Sequence, residues 1–170
     1  MARKLSLREF QQALVRRLSE AATSTAPSAR LGIQSGADLW LVRLEEAGEV
    51  IPVPAMTPVP LTRRWFRGLA NIRGNLYSVV DFSLFCGGEA TPETPDCRLV
   101  LVSDRYHMSA ALLVSKMLGL RNVQGFEQQP ATEGERPWTA ARFLDPEGRA
   151  WRELSMSDLV YNNDFLEAGQ

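Results

Sequence analysis

Cysteine and histidine are nearly absent from this chain, which has only Cys86, Cys97 and His107. Two thiols are too few for a disulfide framework, which points to a reducing compartment, and they assemble no nitrogen-and-sulfur metal set with one imidazole. Charge of one sign is missing as well. The 19 lysines and arginines face 20 aspartates and glutamates, so the broad positive footprint of a phosphate-backbone binder is not there. Long apolar runs are also lacking. Of the longest uncharged stretches, residues 106–115 are too short to span a bilayer and residues 50–62 are broken by Pro52, Pro54, Pro58 and Pro60. Near the start, Arg8, Glu9, Arg16 and Arg17 interrupt what would have to be the apolar core of a secretory signal. These absences predict a cytoplasmic protein with no cofactor, no metal and no direct membrane insertion.

The chain has 170 residues, 45% of them hydrophobic, enough to bury roughly two-thirds of its unfolded surface in one compact domain or two small modules. Residues 1–30 carry a charge of +4 and the rest −5, so the front is set apart electrostatically. Leu7, Phe10, Leu14 and Leu18 recur at helical spacing, and Ser6 with Glu9 fits a capping box. Residues 23–30 read as a polar linker, so 1–30 is expected to be an amphipathic helix plus linker and 31–170 the body. In the body, short runs rich in branched and aromatic residues predict strands at 39–44, 50–56, 69–72, 76–82, 98–103, 107–114, 138–144 and 150–154. Asp145-Pro146-Glu147-Gly148 has the chemistry of a tight turn and predicts a hairpin from 138 to 154. Ser155 and Asp158, ahead of Leu159, Val160 and Tyr161, predict a short terminal helix capped by a hydroxyl.

The most informative stretch is FRGLANIRGNLYSVVDF, residues 66–82. Gly68 and Gly74 permit positive φ or close backbone approach, as a turn alone or a bulge beside a partner surface would require. Arg73 is either a solvated arginine or a contact, and Asp81 ends the strand as a turn or helix-capping residue. An enzyme would need a nucleophile and base brought together from Cys86, Cys97 and His107, the last on a predicted strand, and no motif positions such a pair. Gly68 to Gly74 lacks the Lys-Ser/Thr that follows a phosphate loop. A small-barrel nucleic-acid-binding module is the other rival. Its only candidate platform is Arg63-Arg64-Trp65-Phe66-Arg67, more simply read as two core aromatics on a short helical turn leading into Gly68.

The 66–82 run resembles the characteristic segment of CheW-like domains, a Gly-Val-x-Asn-Leu-Arg-Gly motif leading to a strand that ends in Val-Asp-Leu. The glycine, arginine and aspartate spacing matches without gaps, and a weaker similarity extends over residues 38–165. The resemblance implies a mainly β fold: two interlocked, small five-stranded barrels of the Src-homology-three (SH3) type, with an N-terminal amphipathic helix and a short C-terminal helix, and no active site. Its implied role is a non-catalytic adaptor between the cytoplasmic signalling tip of chemoreceptors and the regulatory domain of a CheA-type histidine kinase, within a higher-order membrane-associated array. By the same resemblance Arg73, Gly68 and, by a looser alignment, Met56 are receptor-binding positions, while Asn71, Gly74 and Asp81 shape the site. Ser78 and Ser115 depart from the family's usual proline and aspartate, which weakens the match in the second module. The basic N-terminal extension and Asp164-Phe165-Leu166 look more like the PilI-type adaptors of type IV pilus twitching systems than the flagellar chemotaxis branch, which stands as the alternative.

Overall fold

The computed structural model describes residues 28–169. The predicted N-terminal helix lies outside the described residues. In chain order the described strands are β1 (Ala29–Ser35), β2 (Asp38–Arg43), β3 (Ala47–Pro52), β4 (Met56–Thr57), β5 (Phe66–Ile72), β6 (Asn75–Asp81), β7 (Arg98–Val102), β8 (Ala110–Val114), β9 (Lys116–Asn122), β10 (Glu127–Gln129), β11 (Thr139–Leu144) and β12 (Ala150–Leu154). Three short helices, α1 (Phe82–Phe85), α2 (Met156–Val160) and α3 (Asn163–Leu166), complete the set.

The strands form two mixed sheets of six, ordered β10-β11-β12-β2-β1-β9 and β3-β7-β8-β6-β5-β4. In the second sheet the two edge strands, β3 and β4, are consecutive in the chain and separated only by Val53, Pro54 and Ala55. So short a link forces the sheet to curl until its edges meet. In the first sheet β9 and β10 are likewise edge strands, joined through the 3-10 turn Val123–Gly125. Curling into barrels shields edges that would otherwise pair with other chains. The modules interlock because β1 and β2, from the front of the body, pair with β9 and β12 from its end.

Apolar periodicity explains the packing. β7 (RLVLV) and β8 (AALLV) are almost continuously hydrophobic, as strands covered on both faces must be. Val100, Val102, Leu112 and Val114 enter a core shared with Leu31, Ile33, Trp40 and Leu154 of the first sheet. Their neighbours Leu99, Leu101, Ala111 and Leu113 turn the other way, into the second barrel with Ala70, Ile72 and Val79. Trp40, Trp138 and Trp151 are all buried.

Several sequence expectations change here. Ala29 and Arg30 belong to β1 rather than to a linker: Arg30 sits opposite Arg43 and Arg121 in the ladder, and its Nε donates to Glu153 at 2.7 Å. His107 is not on a strand; it closes the 3-10 turn Asp104–Tyr106 with a left-handed φ of 51°. The run 50–56 splits into β3 and β4, since its prolines remove ladder donors. Trp65 and Phe66 do not form a helical turn ahead of Gly68: β5 begins at Phe66, and Gly68 lies inside it at a bulge.

The 138–154 hairpin forms as expected, with Gly148 N–H donating to the Asp145 carbonyl at 2.9 Å. Burial alone would raise the Asp145 carboxyl, but donors from the Trp151 indole, the Arg149 backbone and the Arg149 guanidinium overcome it and hold the pKa down at about 2. A carboxylate depressed in the fold stabilises it above the unfolded pKa, and that stability is lost as pH falls through the folded value. Thermal melts should therefore show Asp145→Asn losing less stability than the parent between about pH 4 and pH 2. Parallel decline of both proteins would remove Asp145 as the source.

Candidate functional site

Ile72 sits opposite Asn75, so β5 and β6 are joined by a two-residue loop of Arg73 and Gly74. Both have positive φ, 52° and 86°, the requirement of the hairpin turn whose twist matches the strands. Glycine takes this conformation freely; arginine at the first position is strained. The Asn71 side-chain oxygen accepts from the Gly74 N–H at 2.9 Å and ties the loop to the strand. Only the far part of β6, from Ser78 on, pairs with β8, so the tip extends past β8, with Leu76 exposed beside it.

The Arg73 side chain is 73% exposed, yet it is not solitary. Its Nη1 and Nη2 donate to the two Glu49 carboxylate oxygens at 2.7 and 2.6 Å. Hydrogen bonding and charge from Glu49 raise the guanidinium pKa further above its ordinary value. Glu49 lies in a register shift of β3, between Ala47 and Val50, and such bulges re-aim a side chain. Two of the guanidinium's five donors are spent on Glu49, which leaves three on an exposed side chain. The tip thus presents an oriented, donor-rich plane suited to acceptors on a partner surface.

Gly68 and Met56 lie on the same barrel but not on the tip. Gly68 is buried, with φ 127°, and a Cβ there would lie 2.2 Å from the Thr57 carbonyl oxygen. Its place is under β4, where it admits that strand. Met56 sits opposite Ala70 and walls a groove of about 560 Å³ with Val53, Pro54, Pro92, Cys97 and Leu113.

Asp81 is at the opposite end of β6 from Asn75, about 20 Å away along an extended strand. It is fully buried, and its carboxylate accepts from Leu84 N–H at 3.3 Å, Thr91 N–H at 2.9 Å and the Thr91 hydroxyl at 2.8 Å, with Arg67 Nη1 at 3.5 Å. It therefore caps α1 and holds residues 91–95, the second wall of the Met56 groove. Asp81→Ala should cost about 3 kcal/mol in urea unfolding, because it removes a cap and a buried charge partner together. A cost below about 1 kcal/mol, no more than one ordinary hydrogen bond, would show the clamp to be incidental.

The remaining sequence candidates fall elsewhere. Burial pushes the Cys86 thiol up to about 11, and the Cys97 thiol donates to the Pro92 carbonyl at 3.0 Å. Trp65 packs edge-on against Phe85 at 5.1 Å, and Arg67 is held by Asp81 and Glu93. No group of three or more potential metal ligands occurs among the described residues. None of their helices is long and apolar enough to cross a membrane. Glu49 went unnoticed in the sequence, since its pairing spans 24 residues and leaves no local signal.

The family model described as CheW-like domain matches residues 30–163. Protein PilI of Pseudomonas aeruginosa is 28% identical over 141 residues, covering 81% of this chain and 78% of PilI. The crystal structure of scaffolding protein TtCheW from Thermoanaerobacter tengcongensis superposes with a TM-score of 0.63 at 17% identity, covering 75% of this chain and 88% of that one. At that identity the likeness is one of fold.

Proposed function

Because this chain belongs to the CheW-like domain family, we propose that it is a non-catalytic adaptor coupling a chemoreceptor signalling tip to a CheA-type histidine kinase. The reading places it in a pilus-type chemosensory pathway that controls twitching, in keeping with its similarity to PilI. The protein would be cytoplasmic and recruited to membrane-associated arrays. Its mechanism is geometric: two faces of one rigid body hold receptor and kinase in register, and signal passes as a change in their relative position.

The observation that carries the reading is the β5–β6 tip. A strained, exposed arginine is held by Glu49 at the hairpin tip, and strain of this kind persists where function requires it. In this account Arg73 meets the receptor, Asn71 and Gly74 hold its loop, and Met56 adds apolar contact on the same barrel. Gly68 contributes from beneath by admitting β4, and Asp81 by fixing the far wall of the groove. Individually weak contacts suffice, since neighbouring copies in an array raise effective concentration.

Titrating the purified protein with a soluble receptor signalling fragment, and separately with the kinase regulatory domain, tests the reading. Saturable binding to both is expected, retained at high salt. Binding to single-stranded nucleic acid that collapses with salt, and to neither protein, would move the function to the small-barrel alternative.

A further inference from the structure

Glu49 reaches Arg73 from an irregular stretch of β3. Ala47 pairs with Val102 and Val50 with Val100, so Gly48 and Glu49 together oppose Leu101 alone. Ala47 and Val50 both pack on the core that the two sheets share; three residues apart, they would point to opposite faces of a regular strand. The extra residue reconciles them. A bulge that slid one step along the ladder would turn the side chains it passed to the other face and would carry Glu49 off the guanidinium.

Two features hold the bulge in place. At Gly48 a Cβ would lie 3.2 Å from the carbonyl oxygens of both Leu101 and Val102, so a residue bearing a side chain is crowded at that point of the ladder. The second feature is Glu46, immediately before β3. It is buried, and its carboxylate accepts from the Tyr106 hydroxyl at 3.1 Å and from the Met156 N–H at 3.3 Å, with Arg43 Nε 3.9 Å away. Its main chain is held as well: the N–H donates to the Arg43 carbonyl at 3.0 Å, and the carbonyl accepts from the Ser103 N–H at 3.2 Å. Met156 opens α2, which follows β12 of the first sheet, whereas Ser103 and Tyr106 lie between β7 and β8 of the second. Glu46 thus moors the start of β3 to both modules. An apolar side chain of that volume would avoid the cost of burying a charge; the carboxylate supplies direction instead. We propose that Glu46 is a positioning residue for the β5–β6 tip: by fixing the bulge of β3, about 10 Å along the strand, it sets the side chain of Glu49 on Arg73. The effect on binding rests on the reading of that tip as the receptor contact, whereas the placement of Arg73 is a property of the protein alone.

NMR spectra of the full chain without partners test the placement. Glu46→Gln keeps one acceptor of two, and it should move the Arg73 Nε–H resonance to the position it takes in Glu49→Ala. Tyr106→Phe removes a single donor and leaves the carboxylate and its main-chain bonds, so it folds where the first variant does not and should move the resonance part of the way. A parental Arg73 resonance in every folded variant overturns the proposal. Titration with a soluble receptor signalling fragment then separates positioning from a general loss of structure. Glu46→Gln should weaken binding about fivefold in the parent background and not at all where Glu49 is already alanine, because residues acting through one another are not additive. Equal losses in both backgrounds would mark Glu46 as a carboxylate that serves the fold only, and overturn the proposal as well. A parent protein that binds no receptor fragment removes the receptor reading, and the Arg73 resonance still decides the role of Glu46.

Discussion

Replacing Arg73 with glutamate is expected to weaken binding to a receptor signalling fragment by more than about 1.5 kcal/mol, over tenfold, with little change in melting temperature. The two effects separate because they draw on different groups. The Arg73–Glu49 pair is solvent-exposed, and such pairs add little to folding because water and salt screen them. The remaining donors, in contrast, would be desolvated against a partner, where charged hydrogen bonds are stronger. Arg73→Asn sharpens the separation. Asparagine accepts positive φ in a two-residue hairpin better than arginine does, so this variant should fold at least as stably as the parent and still lose binding. Stability gained as binding is lost is what a functionally strained residue predicts. Reversing both charges, Arg73→Glu with Glu49→Arg, should restore the internal pair but not the binding. Full recovery of binding by the double variant would mean that the pair matters only to the fold.

Gly68→Val should have the largest structural effect, a loss above about 3 kcal/mol in urea unfolding. The backbone at φ 127° is already outside the range of a branched residue. The new Cβ would also meet the Thr57 carbonyl at 2.2 Å and the Pro58 Cα at 3.0 Å. Both obstacles are backbone, so no rotamer relieves them, and β4 must leave β5. The variant should lose receptor binding as well, by detaching Met56 rather than by touching a contact. Gly74→Val serves as the contrast, because a Cβ there meets nothing within 4 Å; it bears only the strain of its φ, about 1–3 kcal/mol. Equal losses at the two sites would show that conformation, not the approach of β4, sets the need for glycine at 68.

The parts of the fold that could be read in advance were those whose signal is local. β7 and β8 announce themselves as unbroken apolar runs, Asp145 to Gly148 as a turn, Ser155 as a cap. β1 did not, because ARLGIQS has weak strand propensity, and its place is set by β2 beside it and β9, whose partners lie 82 to 93 residues on. Gly32 is small there for a reason no local pattern records: a Cβ would press on Arg121 and on the Gly119 carbonyl across the ladder. β9 is interrupted by Gly119 at φ 79° and β10 is only EQQ, so neither carries alternation. The site divides the same way. The Arg73-Gly74 turn and the Asp81 cap follow from adjacent residues, whereas Glu49 joins Arg73 only because barrel closure brings β3 against the β5–β6 tip.

The adaptor claim is tested most directly by co-sedimenting the protein with a receptor signalling fragment and the regulatory domain of a CheA-type kinase, alongside Arg73→Glu. The account predicts a ternary complex with the parent protein and a kinase-bound species lacking receptor with the variant. Sedimentation of neither partner by the folded parent would contradict it.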